Sequence, residues 1–191
     1  MRQLTYFVAT SLDGFIAGPG GSIEAFPSQG DHLDALLADY PETLPAPFLD
    51  AMGVQPLNDH FDTVVMGWRT YDVGLSVGLA SPYPHLRQFV CSRRCERPHD
   101  DVIVTDEDPR ALVRRLKAEP GGGIWLCGGG ALAGVLHDAI DRLFLKVNPV
   151  LLYDGVPLFG ASRGPATAWR HVGSRRFDSG VVFLEYEKPR R

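Results

Sequence analysis

Apolar positions along the chain switch repeatedly between two spacings. Residues 2–10 carry Leu4, Tyr6, Phe7, Val8 and Ala9 in a run without helical period, which predicts a buried strand. Further short apolar runs predict strands over 61–66, 87–91, 102–104, 123–127 and 143–147. Between them the spacing becomes helical. Leu33, Leu36 and Leu37 form one stripe over 31–40, with Asp31 placed as its cap. Leu112, Val113 and Leu116 form another stripe in a helix capped by Asp106 or Asp108 and ending at Ala118. Shorter helices are expected near 48–52, from Arg69, and over 131–138. Two last strands, 169–177 and 181–188, flank Asp178-Ser179-Gly180, a hairpin signal. Alternating strands and helices argue an α/β fold with a mostly parallel sheet, made mixed by the C-terminal antiparallel hairpin.

Length and composition narrow the class. The 191 residues suit a single domain over 1–191, and 45% apolar with 22% charged residues is ordinary for a globular chain. Nineteen Lys and Arg against 23 Asp and Glu leave a net charge of −4, which speaks against nucleic acid as a partner. No apolar run approaches the ~20 residues of a membrane span, and the N-terminus does not read as a signal peptide, so a cytoplasmic protein is expected. The three cysteines, Cys91, Cys95 and Cys127, are too few and too irregular for a disulfide framework. Cys91 and Cys95 with His99 lack a second ligand pair, so reduced thiols and no metal are expected.

Three strand-to-helix turns carry candidate chemistry. Gly128-Gly129-Gly130-Ala131 follows a strand and opens a helix, where glycines let backbone N–H groups approach a phosphate. The pattern is not G-x-G-x-x-G, which disfavours a Rossmann domain. Gly67-Trp68-Arg69-Thr70 is a second such turn, and Ser92-Arg93-Arg94 places a hydroxyl and two guanidiniums after a third strand, a combination suited to a phosphate monoester. In open α/β sheets ligands gather at this carboxyl edge.

The ordered set of Ser11-Leu12-Asp13-Gly14-Phe15-Ile16-Ala17, Met66-Gly67-x-x-Thr70, Ser92-Arg93, Gly128-Gly129-Gly130 and Gly155-Val156-Pro157-Leu158-Phe159-Gly160 resembles the dihydrofolate reductase-like superfamily. Its nearest likeness is the branch of the reductase domain of bacterial riboflavin biosynthesis enzymes. The resemblance runs from Leu4 to about Tyr186 and implies about eight strands flanked by helices. It implies an NADPH-dependent oxidoreductase acting on a small heterocycle of the pteridine, pyrimidine or flavin-pathway kind, with NADH as the other cofactor and a homodimer as the assembly. The alternative is a non-catalytic nucleotide- or flavin-binding protein on the same fold. By this resemblance Ala9 and Ile16 flank the nicotinamide, Gly67, Arg69 and Thr70 meet the phosphates, Ser92 and Arg93 hold the adenosine 2′-phosphate, and Gly128 to Ala131 cradle the pyrophosphate. Trp68 stands where the family often has arginine; either Arg69 takes over that charge or Trp68 stacks on adenine.

Hydride transfer to a C=N bond also needs a proton. Dihydrofolate reductases carry an acid on the first helix, and the candidates there are Asp34 and Asp31. Asp13 reads as a turn former within its own loop. The apolar run Val181 to Leu184 is taken as a sheet edge at the homodimer interface.

Overall fold

The computed structural model describes residues 1–94, 96, 98–162 and 164–189. In chain order it has β1 (Leu4–Thr10), β2 (Phe15–Ala17), α1 (Asp31–Asp39), α2 (Ala46–Met52), β3 (Phe61–Gly67), α3 (Trp68–Ser76), β4 (Arg87–Cys91) and β5 (Val102–Thr105). Then come α4 (Pro109–Ala118), β6 (Gly123–Gly128), α5 (Gly130–Val135), β7 (Arg142–Val147), β8 (Val156–Pro157), β9 (Arg170–Arg176) and β10 (Val182–Glu187). Eight strands form one sheet in the order β5-β4-β3-β6-β1-β7-β10-β9. The first six run parallel, and β10 pairs antiparallel with both β7 and β9. This is the single-domain α/β architecture expected from the sequence.

β1 lies in the middle of the sheet, and its side chains alternate between two cores. Leu4, Tyr6 and Val8 join Val65, Phe89, Ile124 and Leu126 on one face, beneath α4 and α5. Phe7 joins Val64, Met66, Val90, Trp125 and Phe144 on the other, against Ala35 and Leu36 of α1 and Tyr71 of α3. A strand covered on both faces reads as a continuous apolar run, which is why no alternation shows in residues 4–9. α4 is capped by Asp108, whose Oδ1 accepts the Arg110 and Ala111 N–H groups at 3.0 Å, an arrangement that contributes about 1 kcal/mol.

The chain runs outward from β3 through β4 to β5, then returns to insert β6 between β3 and β1 before adding β7 beyond β1. Loops leave neighbouring strands in opposite directions, and the C-terminal edge opens between them.

Three local expectations are corrected. Asp31 does not cap α1, whose N-cap is Gly30. Its carboxylate instead accepts the N–H groups of Asp178 and Ser179 at 2.8 and 3.1 Å, so the first helix closes the C-terminal hairpin. The run Val181 to Leu184 is not at an edge, because β10 is flanked on both sides and the edge is β9, with Arg170, His171, Arg175 and Arg176. The segment after β1 is not wholly loop: Phe15 pairs with Pro157, and Ala17 with Val156, in a separate two-stranded sheet.

Candidate functional site

Four adjacent strands deliver the glycine, serine and arginine turns to one edge. Gly67 is in register with Cys91, which precedes Ser92, and Met66 is in register with Gly128. β6 adjoins β1, which ends in Ala9 and Thr10. Residues drawn from β4, β3, β6 and β1 therefore form a row about 14 Å long, three inter-strand gaps of ~4.8 Å.

The two glycine turns meet within this row. A Cβ placed on Gly67 would stand 3.8 Å from the Gly129 nitrogen, and a Cβ on Gly129 would meet only Thr70 Oγ1, at 3.3 Å. Gly128 has φ of 143°, a conformation that side chains rarely adopt, and its nearest neighbour is again Thr70 Oγ1. α3 and α5 begin beside each other with Gly67 and Gly129 as N-caps, residues without a side chain to bond the first N–H groups. Unfilled amide donors at two converging helix starts suit an anionic group.

Gly130 differs from its two neighbours. Its Cβ would stand 2.0 Å from the Pro157 carbonyl oxygen, and that of Gly134 2.5 Å from the Phe159 oxygen. Both positions let α5 lie directly on the 157–160 backbone. Gly130 is filled by backbone from the 157–160 segment, whereas a Cβ on Gly128 or Gly129 would meet only the Thr70 side chain. Ala131 is exposed on the first turn of α5.

The same packing explains Ser11-Leu12-Asp13-Gly14. The Ser11 hydroxyl donates to Asp13 Oδ1 at 2.5 Å and accepts the Phe15 N–H at 2.9 Å. The Asp13 carboxylate also accepts the N–H groups of Leu152 and Tyr153 at 3.2 and 2.7 Å. These bonds, that from Ser11 foremost, hold its carboxyl below the ordinary aspartate range. Asp13 is thus a clamp between two loops rather than a turn former within one. Leu12 and Leu158 add backbone N–H bonds to the carbonyls of Val150 and Gly14. Ile16, on β2, packs against the core beneath α4 and α5. The first loop, the 150–160 segment and the glycine turn consequently form one assembly.

Beyond Gly67, Trp68 is half-buried, with Arg94 5.3 Å over its ring and Tyr71 at its edge 5.8 Å away. One indole face is thus covered by a guanidinium, and the indole N–H is buried without a partner. Arg69 and Arg93 are exposed. Ser92 Oγ accepts the Arg94 N–H at 2.9 Å, shaping the turn after β4. Cys95 lies outside the described residues, so the spacing of Cys91, Cys95 and His99 has no structural reading. Among the described residues no group of three or more His, Cys, Asp or Glu could hold a metal ion.

The two candidate acids stand apart from this row in character. Asp34 is exposed, and the inward side of α1 presents His32, Ala35 and Leu36. His32 Nδ1 lies 2.9 Å from Ser179 Oγ. The Asp31 carboxyl is held below its ordinary range, first by the Asp178 amide and further by that of Ser179. Two groups that the sequence reading passed over do reach the site: Cys127 on β6 and Lys146 on β7, both half-buried on the Phe7 face. Burial pushes the Cys127 thiol up to about 11 and the Lys146 ammonium down to about 8.

A recess of about 850 Å3 lies at the opposite edge, lined by Arg2, Tyr40, His60, Lys117, Arg142 and Glu185 among others. Its cations are already engaged: Arg2 with Asp62, Lys117 with Asp141, and Arg142 with Glu185 and Glu187. The C-terminal edge, with open amides, is the better place for an anionic cofactor. No described helix is long and apolar enough to cross a membrane.

Comparison with known proteins agrees with this fold. The family model of the RibD C-terminal domain matches residues 2–183. YwjB, an uncharacterised protein of Bacillus subtilis strain 168, is 31% identical over 186 residues, covering 94% of this chain and 95% of YwjB. YyaP of the same organism, also uncharacterised, is 25% identical over 198 residues, covering 97% of this chain and 94% of YyaP. A crystal structure from Shewanella sp. PV-4, of a protein assigned to riboflavin biosynthesis, superposes with a TM-score of 0.73 at 25% identity over 100% of both chains. The fold is shared as well with a Thermotoga maritima diaminohydroxyphosphoribosylaminopyrimidine deaminase/5-amino-6-(5-phosphoribosylamino)uracil reductase. That likeness has a TM-score of 0.66 at 14% identity and covers 98% of this chain and 57% of the Thermotoga chain.

Proposed function

Because the chain belongs to the family of RibD C-terminal domains, we propose that it is a reductase using NADPH to reduce a small heterocycle of the pteridine, pyrimidine or flavin-pathway kind. The observation that carries this reading is the meeting of the Gly67 and Gly128-Gly129 turns around unfilled amide donors. The bound nicotinamide supplies the hydride. Gly128, Gly129 and Thr70 receive the pyrophosphate, with Arg69 adding charge from the first turn of α3. Ala9 and Ile16 bracket the nicotinamide, and Ser92 and Arg93 take the 2′-phosphate. Trp68, covered on one face by Arg94, stands at the end of β3 between the pyrophosphate and 2′-phosphate sites. Neither Asp31 nor Asp34 is assigned as proton donor, since one carboxylate is tied to the hairpin amides and the other faces water.

The choice between NADPH and NADH tests the placement along the row. One charge-assisted phosphate contact contributes about 1.5–3 kcal/mol. An Arg93→Ala protein is therefore expected to bind NADPH at least tenfold more weakly, at about 1.4 kcal/mol per tenfold, and NADH unchanged. Calorimetric titration with both cofactors measures this. Equal losses for the two would take the 2′-phosphate away from Arg93.

We further propose a homodimer, through the β7–β10 part of the sheet face on which α4 and α5 lie. Val147 pairs with Val182 and Leu145 with Leu184, which puts four half-buried apolar side chains on one face. A second copy laid on this stripe would remove it from water. Light scattering at micromolar concentration is expected to give twice the chain mass, and Leu184→Asp to give the single-chain mass. A single-chain mass for the unmodified protein would refute this.

A further inference from the structure

The sequence has three lysines, Lys117, Lys146 and Lys188. Lys117 Nζ donates to the Ala139 carbonyl at 2.6 Å and lies 2.6 Å from the Asp141 carboxylate. Lys188 Nζ donates to the Asp138 carbonyl at 2.5 Å. Lys146 has no such oxygen among the described residues. Its ammonium sits 4.7 Å from the centre of the Phe7 ring, which returns only part of the hydration that burial removes.

Its position is set by strand register. Lys146 on β7 is paired with Ala9 on β1, and on its other side with Phe183 on β10. Residues paired in register on neighbouring strands project from the same face. Lys146 therefore stands beside the residue assigned to the nicotinamide, on the face that also carries Phe7, Trp125 and Cys127 and is covered by α1. Of the groups around it, Cys127 titrates, with Tyr83 next to Cys127, whereas Phe7 and Phe183 do not. A half-buried cation without a counter-ion, in a site built for a reaction, is completed by a ligand of opposite charge.

We propose that Lys146 is the substrate-facing charge of the site, receiving an anionic oxygen of the heterocycle that lies against the nicotinamide beside Ala9. This rests on the NADPH reading above and narrows its substrate class to heterocycles bearing a carboxylate or enolate oxygen. Burial, which holds the ammonium near 8, would be reversed in part by such an oxygen.

The test uses orotate, a pyrimidine with an ionised carboxylate, against uracil, the same ring without it. Reductive methylation with 13C-formaldehyde labels the three lysines and the terminal amine, and loss of one resonance in Lys146→Met assigns the Lys146 signal. NADPH is titrated first, so that failure of the cofactor reading is seen before any substrate is added; the orotate arm is then run on the protein with or without NADPH. Orotate is expected to move the Lys146 resonance and raise its titration midpoint, and uracil to do neither. Calorimetry is expected to show at least tenfold weaker orotate binding in Lys146→Met. Lys146→Arg, which keeps the charge, should stay within a few-fold of the unmodified protein and separates charge from packing. Equal orotate affinity in the unmodified and Lys146→Met proteins would overturn the proposal, as would an unmoved Lys146 resonance or no orotate binding at all.

Discussion

A Gly129→Val protein is expected to fold in full and to bind NADPH at least a hundredfold more weakly than the unmodified chain. Gly129 has φ of −90° and ψ of −174°, an extended conformation open to any residue. Its added Cβ would meet only the Thr70 hydroxyl, at 3.3 Å, and a side-chain oxygen at the end of one rotatable bond can give way by a few tenths of an ångström. The methyl groups of valine would then occupy the space beside the α5 amides that the pyrophosphate needs. A hundredfold loss is about 2.8 kcal/mol, the contribution of one or two charge-assisted phosphate bonds. Circular dichroism establishes the fold, and calorimetric titration gives the affinity. Unchanged affinity in the folded variant would move the pyrophosphate elsewhere.

The adjacent glycine is expected to behave in the opposite way. In Gly130→Ala the methyl group would stand 2.0 Å from the Pro157 carbonyl oxygen and 3.1 Å from the Gly160 nitrogen. Both are backbone atoms and cannot rotate aside. Overfilled interiors usually lose about 1–3 kcal/mol, and contact with rigid backbone belongs at the upper end. In a chain of this size ~3 kcal/mol lowers Tm by roughly 6–12 °C. Differential scanning calorimetry without cofactor reads this directly. A Gly130→Ala protein with unchanged Tm and lost NADPH binding would mean that Gly130 faces ligand and that α5 does not rest on the 157–160 backbone.

The contrast between these glycines shows what a sequence carries and what it omits. Strands β4 and β5 and helix α4 were legible because each is specified by its own residues: a short apolar run, or an apolar stripe behind Asp108 and Pro109. The convergence of the turns was legible in outline, since a parallel sheet sends strand ends to one edge. Which glycine is closed off was not, because Gly130 is filled by the Pro157 carbonyl from a distant part of the chain. Asp31 and Asp13 escaped for the same reason. Each has the composition of a local cap or turn, yet its hydrogen-bond partners, the amides of Asp178 and Ser179 or of Leu152 and Tyr153, come from the other end of the sequence. β2 and β8 pair only with each other and are too short to show a period. Lys146 is the one charged position within the strand predicted over 143–147, and the sequence alone does not say what lies beside it. Its lack of an oxygen partner emerges only once Ala9 and Phe7 are beside it.

On the proposed reading, the C-terminal edge of β4, β3, β6 and β1 holds NADPH as one extended row. A crystal structure of the protein grown with NADPH tests it most directly. The expected density runs from the 2′-phosphate at Ser92 and Arg93, through the pyrophosphate at Thr70 and Gly128-Gly129, to the nicotinamide between Ala9 and Ile16. An NADPH molecule bound at another surface, such as the recess around Arg2 and Arg142, with this row unaltered, would contradict it.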